Sequence, residues 1–188
     1  MANQDAPFGF RPVRHLSGGQ IRTNEYKIAA NYGTSLFQGQ ALIAVNDGTV
    51  AAGTTSGVVV GIFGGCFFTH PTTGKPTFSN HYPASTNASD IVAQVYDDPR
   101  IVFEVQHDGT GTAAMNFGGF DFVGKSGSTT TGRSTGELDT TSVTTSGQFK
   151  QIGISKDPNN SDTGSANCNA YVIPNTGEHS YLLTTALG

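Results

Sequence analysis

The sequence predicts an all-β protein: a β-sandwich, a jelly-roll-like domain or a β-barrel, with long loops. Gly, Ser and Thr together make up about a third of its 188 residues. No stretch has the apolar period of a long amphipathic helix, and short β-branched and aromatic runs alternate with turn-forming segments. Charged residues contribute only 13%, whereas disordered chains are normally rich in charge. The composition therefore favours a folded domain of short strands.

Residues 1–14 are predicted to form an extended N-terminal arm, and residues 15–188 a single β-rich domain. Pro7 and Pro12 lie on either side of two phenylalanines, and each proline disfavours helix at the residue before it. Because prolines do not fit a central strand, we expect the arm to expose its aromatic rings and to pack on a neighbouring copy or a partner. The predicted contact residues are Phe8, Phe10, Arg11 and Arg14.

The strands are predicted where β-branched and aromatic residues cluster between turn formers. A proline- and glycine-punctuated loop is predicted at residues 69–89, and Gly/Ser/Thr-rich or polar loops at 124–136 and 157–162. One helical turn is predicted at 112–117. The predicted strands are residues 26–30, 36–45, 58–68, 91–96, 101–106, 138–142, 149–155, 169–174 and 180–184.

The clearest strands, 91–96 and 101–106, are separated by four turn-forming residues. In the second strand Ile101, Phe103 and Val105 share one face, which is expected to meet the core. The opposite face, which includes Glu104, is expected to be mostly solvated. One covered and one solvated face are typical of an antiparallel sheet.

Two glycine-rich segments match nucleotide-binding patterns without the structural context that those patterns need. Residues 119–126 fit GxxxxGK[ST], but their interior alternates like a strand and a Gly/Ser/Thr run follows where a helix should begin. Residues 109–114 fit GxGxx[GA], but the helix they would open is too short for a βαβ unit. We predict chance matches and no bound cofactor.

The remaining reactive side chains form no recognisable catalytic or metal-binding pattern. Asp97 and Asp98 precede a proline, which favours a structural turn over a calcium site. Cys66 and Cys168 form no CxxC pair and are expected to be small apolar residues, although their separation in space is open. No GxSxG motif is present. The sequence therefore predicts no catalytic residue, no metal and no enzyme, with scattered surface histidines at His15, His70, His81, His107 and His179.

Charge and hydropathy limit the partners. The formal net charge is −4 and no basic patch is evident, so nucleic-acid binding is not expected. No apolar run is long enough to span a membrane. The N-terminus has neither a basic nor an apolar signal region. We expect a soluble protein made in a cytoplasm.

Five segments in order, together spanning most of the chain, resemble the capsid decoration (cement) proteins of tailed bacteriophages, especially those of marine and cyanobacterial podovirus type. The segments are APFGFRPV (6–13), GIFGGCFFT (61–69), GKPTFSNHYP (74–83), DDPRIVFEVQ (97–106) and residues 127–139. The loop from Ser155 to Asn169 falls outside this resemblance, and its role is open.

The resemblance implies a non-enzymatic β-rich protein on the outer capsid surface of the virion, assembled in the bacterial host cytoplasm. Its partner would be the phage major capsid protein, whose neighbouring subunits it would clamp. It would be a homo-oligomer, with a trimer favoured and a dimer possible. Many shallow contacts repeated by symmetry suit such a role.

Two other functions fit an all-β chain. One is a carbohydrate- or receptor-binding module of a phage tail or fibre, for which Tyr82, Tyr96 and Tyr181 are the candidate aromatic platforms. The other is an enzyme on a β-scaffold, which no motif supports. Capsid binding and glycan binding distinguish the first alternative from a decoration protein.

Overall fold

The computed structural model describes residues 2–55, 57–124 and 126–182. Nearly all of the regular structure in these residues is β, which confirms the predicted all-β class. The described strands are β1 (Arg11–His15), β2 (Asn24–Lys27), β3 (Leu36–Phe37), β4 (Ala41–Ala44), β5 (Val50–Ala52), β6 (Val59–Thr69), β7 (Pro76–Ser79), β8 (His81–Tyr82), β9 (Val92–Tyr96), β10 (Ile101–Gln106), β11 (Gly119–Phe120), β12 (Phe122–Val123), β13 (Glu137–Leu138), β14 (Phe149–Ile154) and β15 (Asn169–Pro174). A single 3-10 turn, Ala113–Met115, lies within the predicted helical turn.

The strands form two main antiparallel sheets. The first has five strands in the order β1-β10-β15-β14-β11. The second follows the order β2-β9-β6-β4-β5, with β7 paired to the far end of β6. The described residues also form two short ladders, β3-β8 and β12-β13, and several isolated β-bridges. This arrangement gives two packed sheets, one of the architectures predicted from the sequence.

The main hydrophobic core lies between these two sheets. Phe103 and Val172 from the five-stranded sheet belong to the same buried cluster as Val59 and Ile62 of β6. Burial of such apolar side chains is the main favourable contribution to folding. As predicted, Ile101, Phe103 and Val105 are core residues, and all three are fully buried.

A second core covers the other face of β6. Val60 and Phe63 belong to this cluster, together with Leu36, Tyr82 and Ile91 from the segments around β3, β8 and β9. Both faces of β6 are therefore largely buried from Val59 to Cys66, which explains the apolar run of this part of the strand. The predicted loop at 69–89 is wrong in part, because it contains β7 and β8.

The turn between β9 and β10 carries the chain from one sheet to the other. β9 pairs with β2 and β6, whereas β10 pairs with β1 and β15. The two clearest strands are thus present but are not partners. The expectation that the second face of β10 is mostly solvated is also wrong, because Glu104 and Gln106 are only 4% and 1% exposed. The N-terminal residues and the 155–169 loop cover this face.

The prediction that residues 1–14 pack away from their own domain is wrong. Residues 11–15 form the edge strand β1, and Phe10 is only 1% exposed. Pro12 is tolerated because β1 is an edge strand whose register shifts between Pro12 and Arg14. The segment is extended, as expected, but it is part of the fold.

The late strands are partly as predicted. β14 and β15 match the predicted strands 149–155 and 169–174 to within one residue. Only Leu138 of the predicted strand 138–142 is in a strand, because Asp139 caps a turn by accepting bonds from Thr141. Of the predicted strand 180–184, residues 180–182 are not in a strand, and 183–184 lie outside the described residues. In the described part of the chain, no helix is both long and apolar enough to cross a membrane.

Candidate interaction site

A cavity of about 120 Å³ lies where the N-terminal segment crosses the six-stranded sheet. Three of the four predicted contact residues, Phe8, Phe10 and Arg11, line it. Arg133 lies at the same cavity, although the sequence analysis did not select it. Arg14 is exposed on β1 and is not among the lining residues. The cavity is therefore the place where most of the predicted contact residues meet.

Two glycines allow the N-terminal segment to build this cavity. Gly9 has φ +75°, and a Cβ there would lie 2.7 Å from the Gly39 carbonyl oxygen. Gly39 itself has φ +87°, and its carbonyl accepts a 2.8 Å hydrogen bond from the Phe10 amide. Only glycine combines positive φ with so close a backbone approach. Gly9 thereby separates a half-buried Phe8 from a fully buried Phe10.

Phe10 anchors the segment in the main core. Its ring stacks on Phe149 with centroids 4.2 Å apart and meets Phe122 edge-on at 6.3 Å. Aromatic pairs of this kind add to the stabilisation from area burial alone. Phe10 is therefore part of the core of its own domain, and the expectation that its ring is exposed on the arm is wrong.

Arg11 connects the cavity rim to a buried carboxylate. Its guanidinium lies over the Phe8 ring, 4.9 Å from the centroid, and forms an ion pair with Glu104 Oε2. Glu104 Oε1 accepts a 2.6 Å hydrogen bond from Ser155 Oγ, so both oxygens of this buried group are satisfied. The Arg11 side chain is 56% exposed. A guanidinium has five N–H donors, so donors are left for a ligand.

Arg133 is held at the rim by the predicted Gly/Ser/Thr loop. The Gln38 amide donates to the Gly132 carbonyl at 2.9 Å, and the Ser134 amide donates to the Gln38 carbonyl at 2.9 Å. Within the described residues, the Arg133 side chain forms no ion pair or hydrogen bond. The only signal in the sequence is an arginine in a loop that has no acidic residue.

The loop from Ser155 to Asn169, whose role the sequence left open, binds the first residues of the chain. Asn160 Nδ2 donates to the Gln4 carbonyl at 2.7 Å. Asn3 donates to the Asp162 carbonyl at 3.0 Å and accepts from the Asp162 amide at 3.1 Å. These contacts fix the N-terminal residues leading to the cavity on their own domain.

Two histidines that were expected at the surface are buried. His107 is 0% exposed, and its Nδ1 donates to the Cys168 carbonyl at 2.8 Å. His179 is 1% exposed, and burial lowers its pKa to about 4. Its Nε2 has no hydrogen-bond partner of normal geometry among the described residues. Burial also lowers the pKa of His107, so both rings favour the neutral form.

Ser17, His15 and Asp98 have the connectivity of a hydrolytic triad. His15 Nε2 donates to Asp98 Oδ2 at 3.0 Å, and Ser17 Oγ donates to His15 Nδ1 at 3.0 Å. The Ser17 amide also donates to Nδ1 at 3.3 Å. At His70 and His179, Nδ1 likewise accepts from the amide two residues later. We interpret the Ser17 contact as one example of this recurrent turn cap.

The paired aspartates have separate structural roles. Asp98 Oδ1 accepts from the Arg100 amide at 2.8 Å, as a turn residue does. Asp97 is 2% exposed and accepts from the Tyr26 hydroxyl at 2.6 Å and the Tyr181 hydroxyl at 3.0 Å. Burial and Asp97 together raise the pKa of Tyr26. Among the described residues, no group of three or more His, Cys, Asp or Glu side chains is placed to hold a metal ion.

The cysteines are buried and unpaired, as expected for small apolar residues. Burial raises the pKa of the Cys66 thiol to about 12 and also raises that of Cys168. Both thiols are therefore protonated and poorly nucleophilic.

The glycine-rich matches lie in β structure and loops. Residues 119–120 and 122–123 form the short strands β11 and β12, and Lys125 lies outside the described residues. The 109–114 segment runs into the 3-10 turn. Neither segment opens a described helix that could receive a phosphate.

The tyrosines proposed as sugar platforms differ in exposure. Tyr82 is fully buried, Tyr96 is half-buried, and Tyr181 is 58% exposed. Only Tyr181 therefore offers most of its ring to a ligand.

Comparison of the chain with protein-family models, with curated proteins and with solved structures finds no match. Function must therefore be argued from the surface chemistry and from the sequence resemblance.

Proposed function

We propose that this chain is a structural virion protein that decorates the outer capsid surface and clamps neighbouring major capsid subunits. The proposal rests on the ordered resemblance to phage decoration proteins and on aromatic side chains placed for contact. The all-β fold with several exposed loops and edge strands is compatible with this role. The protein acts by binding, and catalysis has no part in the proposal.

Phe117 gives the strongest structural support for a function in binding a partner protein. It is 78% exposed and has φ +70°, although it is not glycine. Its amide is fixed by a 2.8 Å hydrogen bond to the Gln151 carbonyl. A bulky residue in this backbone region is strained, and such strain is concentrated at functional sites. A strained, exposed aromatic ring is best accounted for by a partner that covers it.

A second pair of exposed aromatics supports the same conclusion. Phe67 and Phe78 are cross-strand partners on β6 and β7, and they are 43% and 64% exposed. β7 pairs with β6 at one edge of the six-stranded sheet. Aromatic rings are enriched in protein interfaces, where they supply contact area at a low cost in side-chain entropy.

Oligomerisation is part of the proposal. A trimer is favoured because one domain then presents the same shallow contacts three times around a capsid three-fold position. Light scattering of the purified protein measures this mass directly. A monomer at concentrations well above those used for capsid binding would contradict the trimer.

The function is tested by mixing the purified protein with expanded capsid shells that lack decoration protein, prepared from the phage that encodes it. Co-sedimentation and negative-stain imaging should show saturable binding to the outer surface. Phe117→Ser should weaken this binding without lowering the melting temperature, because its ring is exposed. Binding to a glycan array without binding to shells would favour a tail or fibre receptor-binding module instead.

A further inference from the structure

We infer that the cavity beneath the N-terminal segment receives an acidic side chain of the protein partner, held by Arg11 and Arg133. This inference rests on the proposed function, since it names the chemistry by which the capsid partner is recognised. The partner's side chain is a glutamate or an aspartate whose carboxylate meets the two guanidinium groups.

The charges at the cavity favour an anionic ligand. The protein carries a formal net charge of −4, yet two arginines line this single cavity. Only one of them has a carboxylate partner among the described residues: Glu104 pairs with Arg11 and is itself buried. Arg133 forms no ion pair there. The cavity rim is therefore locally positive and complementary to an anion.

The cavity has a size and a lining that suit a single side chain. Its volume of about 120 Å³ is similar to that of an apolar protein cavity of roughly 150 Å³ that holds one benzene molecule. One side chain fits such a space, whereas a nucleotide does not. Phe10 and Phe63 supply an apolar floor, and both are buried. A floor of this kind suits the methylene groups of an acidic side chain, with its carboxylate at the rim.

The backbone around the two arginines is preorganised. Gly9 and Gly39 lock the segment that carries Arg11, and the Arg11 side chain rests over the Phe8 ring. Flanking backbone hydrogen bonds hold the Arg133 loop to Gln38. A site whose backbone is already ordered pays a smaller entropic cost when it binds. Arginine forks match the two oxygens of a carboxylate.

The test uses Arg133→Gln, because this side chain has no structural partner in the described residues. Arg22→Gln is the matched control, since Arg22 is exposed and does not line the cavity. Binding of each full-length variant to expanded shells is measured at 50 and 300 mM salt. We expect Arg133→Gln to bind about 10- to 100-fold more weakly than the wild type at low salt. Its binding should also depend less on salt, and the control should match the wild type.

A second measurement is independent of the capsid. Glutarate, a small dicarboxylate, is titrated into each variant while amide chemical shifts are followed by NMR. Wild-type protein should show saturable shifts at Gly39 and at residues 132–134, and Arg133→Gln should lose them. Shifts that are absent from wild-type protein, or equal in Arg133→Gln, would overturn the carboxylate site.

The two arms separate failure of this inference from failure of the proposed function. If wild type and Arg133→Gln bind shells equally, the inference is wrong while decoration stands. If the wild-type protein binds no shells, the proposed decoration function is wrong, and the acidic side chain does not come from the capsid. Localised glutarate shifts would then support the carboxylate chemistry of the cavity alone. If Arg133→Gln loses self-association but still binds shells like the wild type, the inference that the capsid supplies the acidic side chain is wrong. The side chain then comes from a second copy of this chain.

Discussion

Replacing Phe10 by alanine should destabilise the domain strongly, because the N-terminal segment is part of its core. The ring is 1% exposed and stacks on Phe149 at 4.2 Å. Truncation of a buried phenylalanine costs about 3–5 kcal/mol from lost burial and the cavity that is left. For a domain of this length, that corresponds to a fall in melting temperature of roughly 6–20 °C.

The assay is urea denaturation at 25 °C, with Phe8→Ala as the matched control. Phe8 is only half-buried, so its truncation should cost less than about 1.5 kcal/mol, well under a full burial. A double-mutant cycle with Phe149→Ala should show coupling, because the two rings are in contact. If Phe10→Ala leaves the free energy of unfolding unchanged but reduces the oligomer size, the segment packs between copies and this account of the fold is wrong.

The remaining predictions concern two buried ionisable groups, Glu104 and His179, and one partly buried group, Glu137. Glu104→Ala should lower the free energy of unfolding by about 1–3 kcal/mol, because it removes the ion pair with Arg11 and the hydrogen bond from Ser155. An unchanged free energy of unfolding in urea denaturation would contradict the burial of Glu104 among these partners. The folded-state pKa of His179, about 4, is below its ordinary 6.5. The folded state thus favours the neutral ring, so stability should be full above pH 6.5 and fall by about 3 kcal/mol as the pH drops towards 4. His179→Gln should flatten that fall in a pH series of melting temperatures, and an unchanged slope would refute the assignment. Burial and two nearby aspartates raise the pKa of Glu137 to about 7, so its stabilising contribution is present below pH 4.5 and lost as the pH rises through 7. Glu137→Gln should therefore melt higher than wild type at pH 8, and equal melting temperatures at that pH would count against it.

The local sequence pattern predicted a strand well where apolar residues alternate along one buried face. The alternation of Ile101, Phe103 and Val105 predicted the core face of β10, and β15 matches its prediction. Such patterns depend on neighbours two residues apart, which the sequence displays directly. The buried state of Glu104 could not be predicted, because its partners Arg11 and Ser155 are distant in sequence.

The errors at the N-terminus have physical causes, and the residues of the β9–β10 turn left two arrangements open. Pro12 excludes a central strand but not an edge strand with an irregular register. The positive φ of Gly9 and its close contact with Gly39 show that the N-terminal segment docks on its own domain. Neither feature could be predicted from the sequence, because both become visible only in the folded structure. A four-residue turn suits both a hairpin and a crossing between packed sheets. Arg133 was missed because one arginine in a Gly/Ser/Thr-rich loop has no local signature.

Quantitative binding of the purified protein to expanded capsid shells is the most direct test of the proposed decoration function. We expect saturable binding on the outer surface, reduced by Phe117→Ser and by Arg133→Gln but not by Arg22→Gln. If wild-type protein does not bind these shells at concentrations on the order of tens of micromolar, where even weak protein contacts are occupied, the proposed function is wrong.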